Sequence, residues 1–534
     1  MSAAKAGKRA PYGVIDIFAG PGGLGEGFSS FAPNAKSGAY PFELAVSAEM
    51  ERSAHATLKL RAFYRLLQRN EDQIPREYWD YLRDATSGKV EGPHERFSSG
   101  RWATLWKEAE DEALNLTLGN EGHNQHLYRR IKQVQGQYEE LVLIGGPPCQ
   151  AYSVVGRARQ RRVAGFKTKG DPRHFLYKQY LSILATFKPA VFIMENVKGI
   201  LTSKVGNQEM FAAIQRDLAN PAAALGATPS ASLAEQYALL PIHVPHGVER
   251  TEDLVANDPS AFVIRCENHG VPQARHRVII MGVRRDYAKA SIAKISGLDS
   301  PEVQNRIEHA LAGLPPLRSG LSREPDDAER WYDAMERERK RVIRAVKRRL
   351  PAVAHVLETT VPAAFLPRSS TRYAPGRVTP LAADLRGENP GIVLNHETRG
   401  HMPSDLARYM FVAAFADAER RSPTSRDFPA EFAPDHESWE TGAFADRFRV
   451  QRKGVPSSTI TSHLSKDGHA FIHWDPSQGR SLTVREAARL QTFPDDYLFL
   501  GSRTEQFVQV GNAVPPLVAR QIASVVHRVL SAAK

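Results

Sequence analysis

The amino-acid sequence predicts an open, doubly wound α/β sheet into which a second domain is inserted. An apolar strand at 14–18 runs into the glycine-rich segment 19–27, and a second strand at 42–48 ends at Glu49. Strand, glycine turn, helix, strand and acid follow one another in the first βαβ unit of such a sheet. From about residue 284 to residue 448, charged helical segments and Pro-rich loops replace this pattern, which indicates the inserted domain.

Four later apolar runs extend the predicted sheet. Runs that end at Ile144 and at Met194 supply two strands, and a late pair, 262–264 and 278–281, completes the sheet. The chain between the second and third strands is far longer than one crossover needs. Its tryptophans, leucines, alanines and glutamates predict a helical insertion at about 60–138.

The domain boundaries follow from these patterns. Residues 11–285 and 450–534 are predicted to form the α/β domain, and residues 286–449 the inserted one. A Thr-Val-Arg-Glu capping box at 483–486 predicts the start of a helix. Apolar residues at helical spacing over 518–529 predict the last helix. The C-terminal segment is therefore expected to fold back onto the first domain.

Composition limits the partners and the compartment. The 534 residues carry 71 Lys and Arg against 59 Asp and Glu, a formal net charge of +12, which favours a polyanionic partner such as nucleic acid. The two cysteines exclude a disulfide framework and favour a reducing compartment. No apolar run approaches the ~20 residues of a membrane span, and residues 1–10 lack the apolar core of a signal peptide. We expect a cytoplasmic protein with no membrane partner.

The glycine turn is compatible with more than one ligand. Gly20, Gly22 and Gly25 fit the pattern G-x-G-x-x-G, in which glycine lets the backbone approach a ligand closely. Glu49, at the end of the second strand, can accept hydrogen bonds from ribose hydroxyls. A nicotinamide cofactor would fit this turn equally well, and a purely structural tight turn is a third interpretation.

A cysteine and a carboxylate follow two neighbouring strands of the predicted sheet. Cys149, between a proline pair and a glutamine, comes after the third strand, and Glu195 comes after the fourth. A thiol and an acid at adjacent strand ends predict covalent catalysis assisted by a proton donor. Seven Lys and Arg residues at 157–173 would lower the pKa of the thiol. The alternative is a small buried hydrophobe, which is how we interpret Cys266.

Six short motifs resemble those of the DNA cytosine-5 methyltransferase family and occur in the same order. They are FAGPGG at 18–23, GPPCQ at 146–150, ENV at 195–197, QARHR at 273–277, REAARLQ at 485–491 and GNAVPP at 511–516. The resemblance implies a Rossmann-like, S-adenosylmethionine-dependent methyltransferase sheet with an inserted target-recognition domain. It also implies transfer of a methyl group from S-adenosylmethionine to carbon 5 of cytosine in double-stranded DNA. A bacterial restriction–modification or anti-phage defence role follows from it, which admits a cognate restriction or defence protein as partner.

The resemblance also assigns the catalytic residues. Cys149 would add to carbon 6 of the ring, and Glu195 would hold a proton toward ring N3, which favours that addition. Asn196 would orient its loop. Arg277, with Arg275 beside it, would stabilise negative character at O2 of the base. The cytosine must leave the stacked duplex to reach these groups, so base flipping is expected.

The cofactor-binding residues are implied in the same way. Glu49 would bind the ribose hydroxyls. The family places an acid at the adenine amino group, after the third strand of its own sheet. This acid has no clear counterpart here, and Asn120 is the nearest candidate. The remaining residues expected to bind the cofactor are Phe18, Gly20, Gly22, Gly23, Leu24, Pro147 and Asn512.

More than one function is compatible with these motifs. A relative of the family methylates tRNA, although the large inserted domain favours DNA. A non-catalytic DNA-binding module is a second interpretation, and a nicotinamide oxidoreductase is a remote third.

Two further segments are expected to be structural. His396 and His401 would diverge by roughly 140° on a helix, so we expect no metal site. The basic segment 335–350 is typical of a solvated helix, with contact to the DNA backbone as the alternative.

Overall fold

A computed structural model gives the fold of the chain. It describes residues 11–34, 39–86, 92–148, 172–202, 204–205, 208–228, 232–244, 247–288, 292–293, 295–434 and 447–533. The predictions for Cys149 and for most of the basic segment 157–173 fall on residues outside these ranges.

A sheet of eight strands forms the centre of the molecule. In chain order they are β1 (Tyr12–Ile17), β2 (Phe42–Glu49), β3 (Ala113–Asn115), β4 (Glu140–Gly145), β5 (Val191–Val197), β6 (Tyr237–Pro241), β7 (Val263–Arg265) and β8 (His276–Arg284). Their order across the sheet is β3-β2-β1-β4-β5-β8-β6, and β7 pairs with β8 off this path. Pairing is parallel from β3 to β5 and antiparallel around β8. The fold class is the one that the sequence predicts.

Helices cover both faces of the sheet and build the regions beside it. In chain order they are α1 (Gly23–Ser29), α2 (Arg52–Asn70), α3 (Arg76–Thr86), α4 (Pro93–Phe97), α5 (Ala103–Glu112), α6 (Glu121–Gln135), α7 (Pro172–Phe187), α8 (Met210–Ala219), α9 (Pro221–Ala224), α10 (Glu252–Asn257), α11 (Ile307–Leu311), α12 (Ala328–Val346), α13 (Pro351–Thr359), α14 (Pro380–Arg386), α15 (Pro403–Glu419), α16 (Val484–Leu490), α17 (Arg503–Asn512) and α18 (Pro516–Ala532). Within the described ranges, none of them combines the length and the hydrophobicity needed to cross a bilayer.

The central strand β1 is buried along its whole length. Its alternate side chains enter different apolar clusters: Val14 packs with residues of α1 and α18, and Ile15 packs on the other face with residues of α6, α7 and α8. Strands that are covered on both faces read as continuous apolar runs, as 141–144 does in β4. Because such apolar runs are visible in the sequence, these strands could be predicted from it.

The strand order reverses at β1, which pairs with β2 on one side and with β4 on the other. Ile17 lies opposite Ala48 of β2 and opposite Gly145 of β4. The segments that follow these three strands therefore lie level with one another. In open α/β sheets, ligands bind in the crevice at the carboxyl ends of the strands, at such a reversal.

Two sequence predictions need correction at the edges of the sheet. The strand predicted at 262–264 begins one residue later, because Phe262 ends a 3₁₀ turn. The insertion predicted at 60–138 is helical but contains β3, which returns to the sheet. No strand was predicted at β3 or β6: β3 has only three residues, and β6 ends in a proline.

Residues 286–449 supply much of two apolar clusters and a few side chains to two others. Helices α12, α13 and α15 surround the first cluster, in which Trp331, Met335 and Phe411 pack with Phe448 and, beyond residue 449, with Ile472. Residues of α11 and α14 join the second cluster together with α16 and α17. This region therefore has a core of its own and a second core that it shares with the C-terminal segment.

The C-terminal helix α18 packs on the first βαβ unit. Val518 and Ile522 share a buried cluster with Phe28 of α1. A Cβ on Gly27 would lie 2.3 Å from the Cβ of Ala519, so only glycine permits this close contact of α1 with α18. The predicted last helix and the predicted capping box at 483–486 are both confirmed.

Buried arginines attach the C-terminal segment, residues 450–534, to the inserted region, residues 286–449. Arg489 donates to both carboxylate oxygens of Asp495, at 2.8 and 2.5 Å, and to the carbonyl oxygen of Ala310 at 2.8 Å. Arg485 donates to the carbonyl oxygen of Leu394 at 2.9 Å. Both arginines are inaccessible to solvent. Removing one partner of such a pair leaves a buried charge uncompensated.

Arg489→Met is expected to lower the free energy of unfolding by about 3–5 kcal/mol, because Asp495 would remain buried without the guanidinium that donates to both of its oxygens. Arg503→Met, which removes the largely exposed ion pair with Glu397, is the control and should cost less than about 1 kcal/mol. Urea denaturation compares the two variants. Equal losses of stability would contradict this account of the buried pair.

Candidate active site

The glycine turn after β1 has an unusual backbone conformation. Phe18, Gly20 and Gly22 have positive φ angles of 56°, 59° and 97°, a region that glycine adopts readily and other residues rarely. A Cβ on Gly23 would lie 2.3 Å from the carbonyl oxygen of Val514. The turn is thereby held against the segment that precedes α18.

The carboxylate of Glu49 lies beside this turn. It accepts hydrogen bonds from the N–H of Gly20 at 2.7 Å and from the N–H of Glu51 at 2.8 Å. Burial raises the pKa of Glu49, against the backbone N–H donors that lower it. A Cβ on Gly20 would meet no atom within 4 Å. Open space therefore adjoins the turn next to the carboxylate, where the sequence predicts a ribose.

The other predicted cofactor residues lie around the same strand ends. Phe18 is half-buried, and Asn512 is the exposed last residue of α17. Pro147 is buried two residues after β4. The side chain of Leu24 belongs to the apolar cluster shared with α18, so it contributes to the core rather than to the open space.

Asn120 has a structural role at the start of a helix. It is the N-cap of α6, where its Oδ1 accepts a hydrogen bond from the N–H of His123 at 3.1 Å. Asn115, which was not among the predicted residues, ends β3 opposite Glu49. Its Nδ2 donates to the carbonyl oxygens of Glu49 at 2.9 Å and of Met50 at 3.1 Å. A polar residue closing a strand is the signal for it, but a strand of three residues is too short to recognise.

The amide of Asn196 joins the end of β5 to the chain that follows β4. Its Nδ2 donates to the carbonyl oxygen of Pro147 at 3.2 Å, and its Oδ1 accepts from the N–H of Val197 at 2.9 Å. Pro148 is the last described residue before Cys149, which itself lies outside the described ranges. The chain that leads to Cys149 is thus attached to the motif that carries the predicted acid.

Glu195 and Arg277 form an ion pair between two neighbouring strands. The Nε of Arg277, on β8, lies 2.9 Å from the Oε1 of Glu195, on β5, and each side chain is 13% exposed. A Cβ on Gly146 would lie 2.8 Å from the Oε2 of Glu195. A carboxylate and a guanidinium therefore lie together, against the loop after β4.

The guanidinium of Arg275 is directed into the protein. It donates to the carbonyl oxygens of Ile460 at 2.8 Å and of Gly511 at 3.3 Å, and burial lowers its pKa to about 9. Gln273 contacts the same segment, because its Oε1 accepts from the N–H of Ile460 at 2.8 Å. Arg275 therefore fixes the segment at 460 to α17, whereas the sequence motif predicts it beside Arg277 at the base.

The remaining candidate groups are structural. Burial raises the pKa of the Cys266 thiol to about 12, so this thiol is not a nucleophile near neutral pH. His396 is buried, contacts Thr483 Oγ1 and the Pro315 carbonyl oxygen at 2.9 Å each, and burial lowers its pKa to about 4. His401 is buried as well. The described part of the chain holds no group of three His, Cys, Asp or Glu that could bind a metal ion.

The basic segment 335–350 covers the C-terminal half of α12. Arg339 pairs with Glu336, and Arg341 pairs with Glu338, at 2.7 Å in each case. Side chains three residues apart on a helix lie close enough to pair in this way, and the Glu338 side chain is buried.

Comparison with known proteins shows the family of the chain. The family model of C-5 cytosine-specific DNA methylases matches residues 108–220 and 258–528, which include Glu195, Arg277 and Asn512. The chain belongs to this family. The glycine turn precedes the first matched residue. It follows β1, which pairs with β4 of the first matched segment.

Individual relatives match most of the chain. The type II methyltransferase M.Bpa9945I of Bacillus paralicheniformis is 31% identical over 528 residues, which cover 97% of this chain and 99% of the relative. The DNA (cytosine-5-)-methyltransferase M.ApeKI of Aeropyrum pernix is 27% identical over 422 residues, 73% of this chain and 82% of the relative. The protein is thus a DNA cytosine-5 methyltransferase by family, related to type II enzymes.

A solved structure shares the fold. It is the crystal structure of a candidate DNA modification methyltransferase encoded within an E. coli prophage. The two chains superpose with a TM-score of 0.50 at 17% sequence identity, over 97% of this chain and 99% of the other. At this identity the likeness supports the α/β fold alone.

Asp16 is a buried acid on β1, between Ser47 of β2 and Ile144 of β4. Burial raises the pKa of its carboxyl from 3.8 to about 8, and Arg65 opposes that rise. The folded chain therefore keeps a proton that the unfolded chain releases at lower pH. Stability from this group is present at low pH and is lost as the pH rises toward about 8.

Asp16→Asn, which cannot ionise, is expected to lose less stability than the wild type between pH 5 and pH 8. Thermal unfolding at several pH values measures the difference in Tm, which should grow in favour of the variant as the pH rises. The control is Asp333→Asn, on the exposed side of α12, whose curve should follow the wild type. Parallel curves for wild type and Asp16→Asn would contradict a raised pKa.

Proposed function

We propose that this protein transfers a methyl group from S-adenosylmethionine to carbon 5 of cytosine, within a specific sequence of double-stranded DNA. The reaction passes through a covalent bond between Cys149 and carbon 6 of a flipped base. The observation that carries the proposal is the Glu195–Arg277 pair, which lies against the loop that leads to Cys149. A nucleophile, a proton donor and an anion-stabilising cation are the groups that addition to cytosine needs.

The residues at the glycine turn fit S-adenosylmethionine. The carboxylate of Glu49 can accept the ribose hydroxyls, and the open space at Gly20 allows a ligand to approach the backbone. Asn512, exposed at the end of α17, would face the methionine end. When bound, S-adenosylmethionine supplies the activated methyl group.

Two further residues are proposed at the adenine end. Met50 follows Glu49 directly and is 51% exposed, so its thioether can pack on a purine ring. Asn115 uses its Nδ2 to hold the backbone of Glu49 and Met50. Its Oδ1 can accept a hydrogen bond from the adenine amino group. We propose Asn115, rather than Asn120, in the place of the family's acidic residue.

The chemistry follows from the weak nucleophilicity of carbon 5. The Cys149 thiolate forms a bond to carbon 6, the displaced electron pair moves through carbons 5 and 4 to ring N3, and N3 takes the proton held by Glu195. Arg277 stabilises negative character at O2 during this addition. Carbon 5, now an enamine carbon, accepts the methyl group. A water molecule then takes the carbon 5 proton, and the electron pair of that C–H bond forms the C5–C6 double bond as the S–C6 bond breaks and releases the thiolate. N3 returns its proton to Glu195.

Access to the ring requires the cytosine outside the duplex, because neither face of carbon 6 is open in stacked DNA. We propose that residues 286–449 act as the target-recognition domain that selects the sequence by contacts to base edges. The net charge of +12 favours contacts with DNA phosphates. A segment with its own core, attached to the C-terminal segment by buried arginines, suits this task.

The names of the relatives support a proposal about the biological role. M.Bpa9945I is named as a type II methyltransferase. We propose that this chain is likewise the modification enzyme of a bacterial restriction–modification or anti-phage defence system. Its methylation of the host sequence would protect that sequence from a cognate nuclease.

Bisulfite sequencing of DNA from a methylation-free bacterial host that expresses the chain tests the proposal. Cytosines in one short sequence motif are expected to resist conversion, and the Cys149→Ser variant should show full conversion. Methylation that persists in Cys149→Ser would refute the role of the thiol. Full conversion in both hosts, with folded protein present, would refute DNA cytosine methylation by the chain alone.

A further inference from the structure

One hydroxyl group of the C-terminal segment contacts the glycine turn. The Oη of Tyr497 donates to the carbonyl oxygen of Pro21, in a buried hydrogen bond between residues 476 positions apart. Pro21 lies between Gly20 and Gly22, which both have positive φ. The hydroxyl therefore bonds to the most irregular part of the turn.

The ring of Tyr497 leaves the turn little room to move. A Cβ on Gly22 would lie 3.0 Å from the Tyr497 Oη and 2.8 Å from the Cδ1 of Leu58. The ring is 1% exposed and packs against Phe493 and Phe499, at centroid distances of 4.9 and 5.4 Å. The position of the hydroxyl is thus fixed by its own surroundings.

Arg61 holds the neighbours of Tyr497 on two sides. It donates to both carboxylate oxygens of Glu26, on α1, at 2.9 and 2.6 Å, and to Asp496 at 3.0 Å. Its guanidinium lies 4.9 Å from the centroid of the Tyr497 ring. All three charged groups are buried. Arg61 therefore ties the helix that follows the turn to the residue next to Tyr497.

We infer that Tyr497 is a positioning residue for the cofactor, because its hydroxyl holds the Pro21 carbonyl and so sets the shape of the turn that receives the methionine end of S-adenosylmethionine. The inference rests on the proposed function. Glycine allows the turn several backbone conformations. The hydrogen bond from the hydroxyl restricts the turn to one of them at Pro21.

Packing alone does not account for a tyrosine at 497. A phenylalanine ring would fill the same space between Phe493 and Phe499, yet it would leave the Pro21 carbonyl without its donor. A buried carbonyl oxygen without a donor makes this conformation of the turn less stable by the free energy of one hydrogen bond. The loss would be felt first in the turn, since the ring itself stays packed.

Tyr497→Phe tests the inference by removing a single hydrogen bond. S-adenosylmethionine is expected to bind about tenfold more weakly, the factor that corresponds to one such bond. The KM for S-adenosylmethionine should rise in proportion, while kcat at saturation changes less than about twofold. Adenosine, which lacks the methionine, should bind wild type and variant equally in calorimetric titrations.

Tyr409→Phe is the matched control. Its hydroxyl is also buried, contacts His469 at 2.9 Å and lies in the inserted region, so its removal should leave binding of S-adenosylmethionine unchanged. Equal affinity of wild type and Tyr497→Phe for S-adenosylmethionine would overturn the inference. So would a parallel loss of adenosine binding, which would indicate general damage. Failure of the wild type to bind S-adenosylmethionine would instead refute the proposed function.

Asp496→Asn examines the same arrangement without altering the hydroxyl. It keeps the side-chain shape but weakens the hold of Arg61 next to Tyr497. The expected result is a smaller loss of S-adenosylmethionine affinity than in Tyr497→Phe. A larger loss would show that the Arg61 contacts, and not the hydroxyl, control the turn, and the inference would fall.

Discussion

The pairing of β1 with β2 on one side and with β4 on the other is the constraint on which the candidate site depends. It places the carboxyl ends of three strands level, with Ile17 opposite both Ala48 and Gly145. The glycine turn, Glu49 and the loop that leads to Cys149 each follow one of these ends. Groups far apart in the sequence therefore share one crevice because of strand register, and not because of a local motif.

Buried charges keep this arrangement rigid. The Glu195–Arg277 pair joins β5 to β8, and Arg61 joins the helix after the glycine turn to the C-terminal segment. Arg489 extends the same principle to the inserted region. Such pairs contribute little net stability relative to apolar packing, but each is costly to break. The described part of the site is thus held by contacts within the protein, which is how a site lowers the cost of orientation.

The sequence predicted the features that local patterns carry. Buried parallel strands, the glycine turn, Glu49 and Glu195 all lie where the apolar runs and their ends indicate. Asn115 was not predicted, because a strand of three residues is too short to show an alternation of apolar and polar side chains. The burial of Arg275 and the bond from Tyr497 to Pro21 were not predicted for another reason. Both depend on contacts between segments that are far apart in the sequence. Such contacts arise only when the C-terminal segment folds back.

Covalent trapping tests the central claim, the bond between Cys149 and carbon 6, most directly. In duplex DNA with 5-fluorocytosine in place of cytosine, carbon 5 carries no proton to lose after methyl transfer, so the S–C6 bond cannot break. Incubation with S-adenosylmethionine should give a protein–DNA adduct that survives denaturing electrophoresis, and Cys149→Ser should give none. An adduct that persists in Cys149→Ser, or its absence from a wild-type protein that methylates ordinary DNA, would contradict the account.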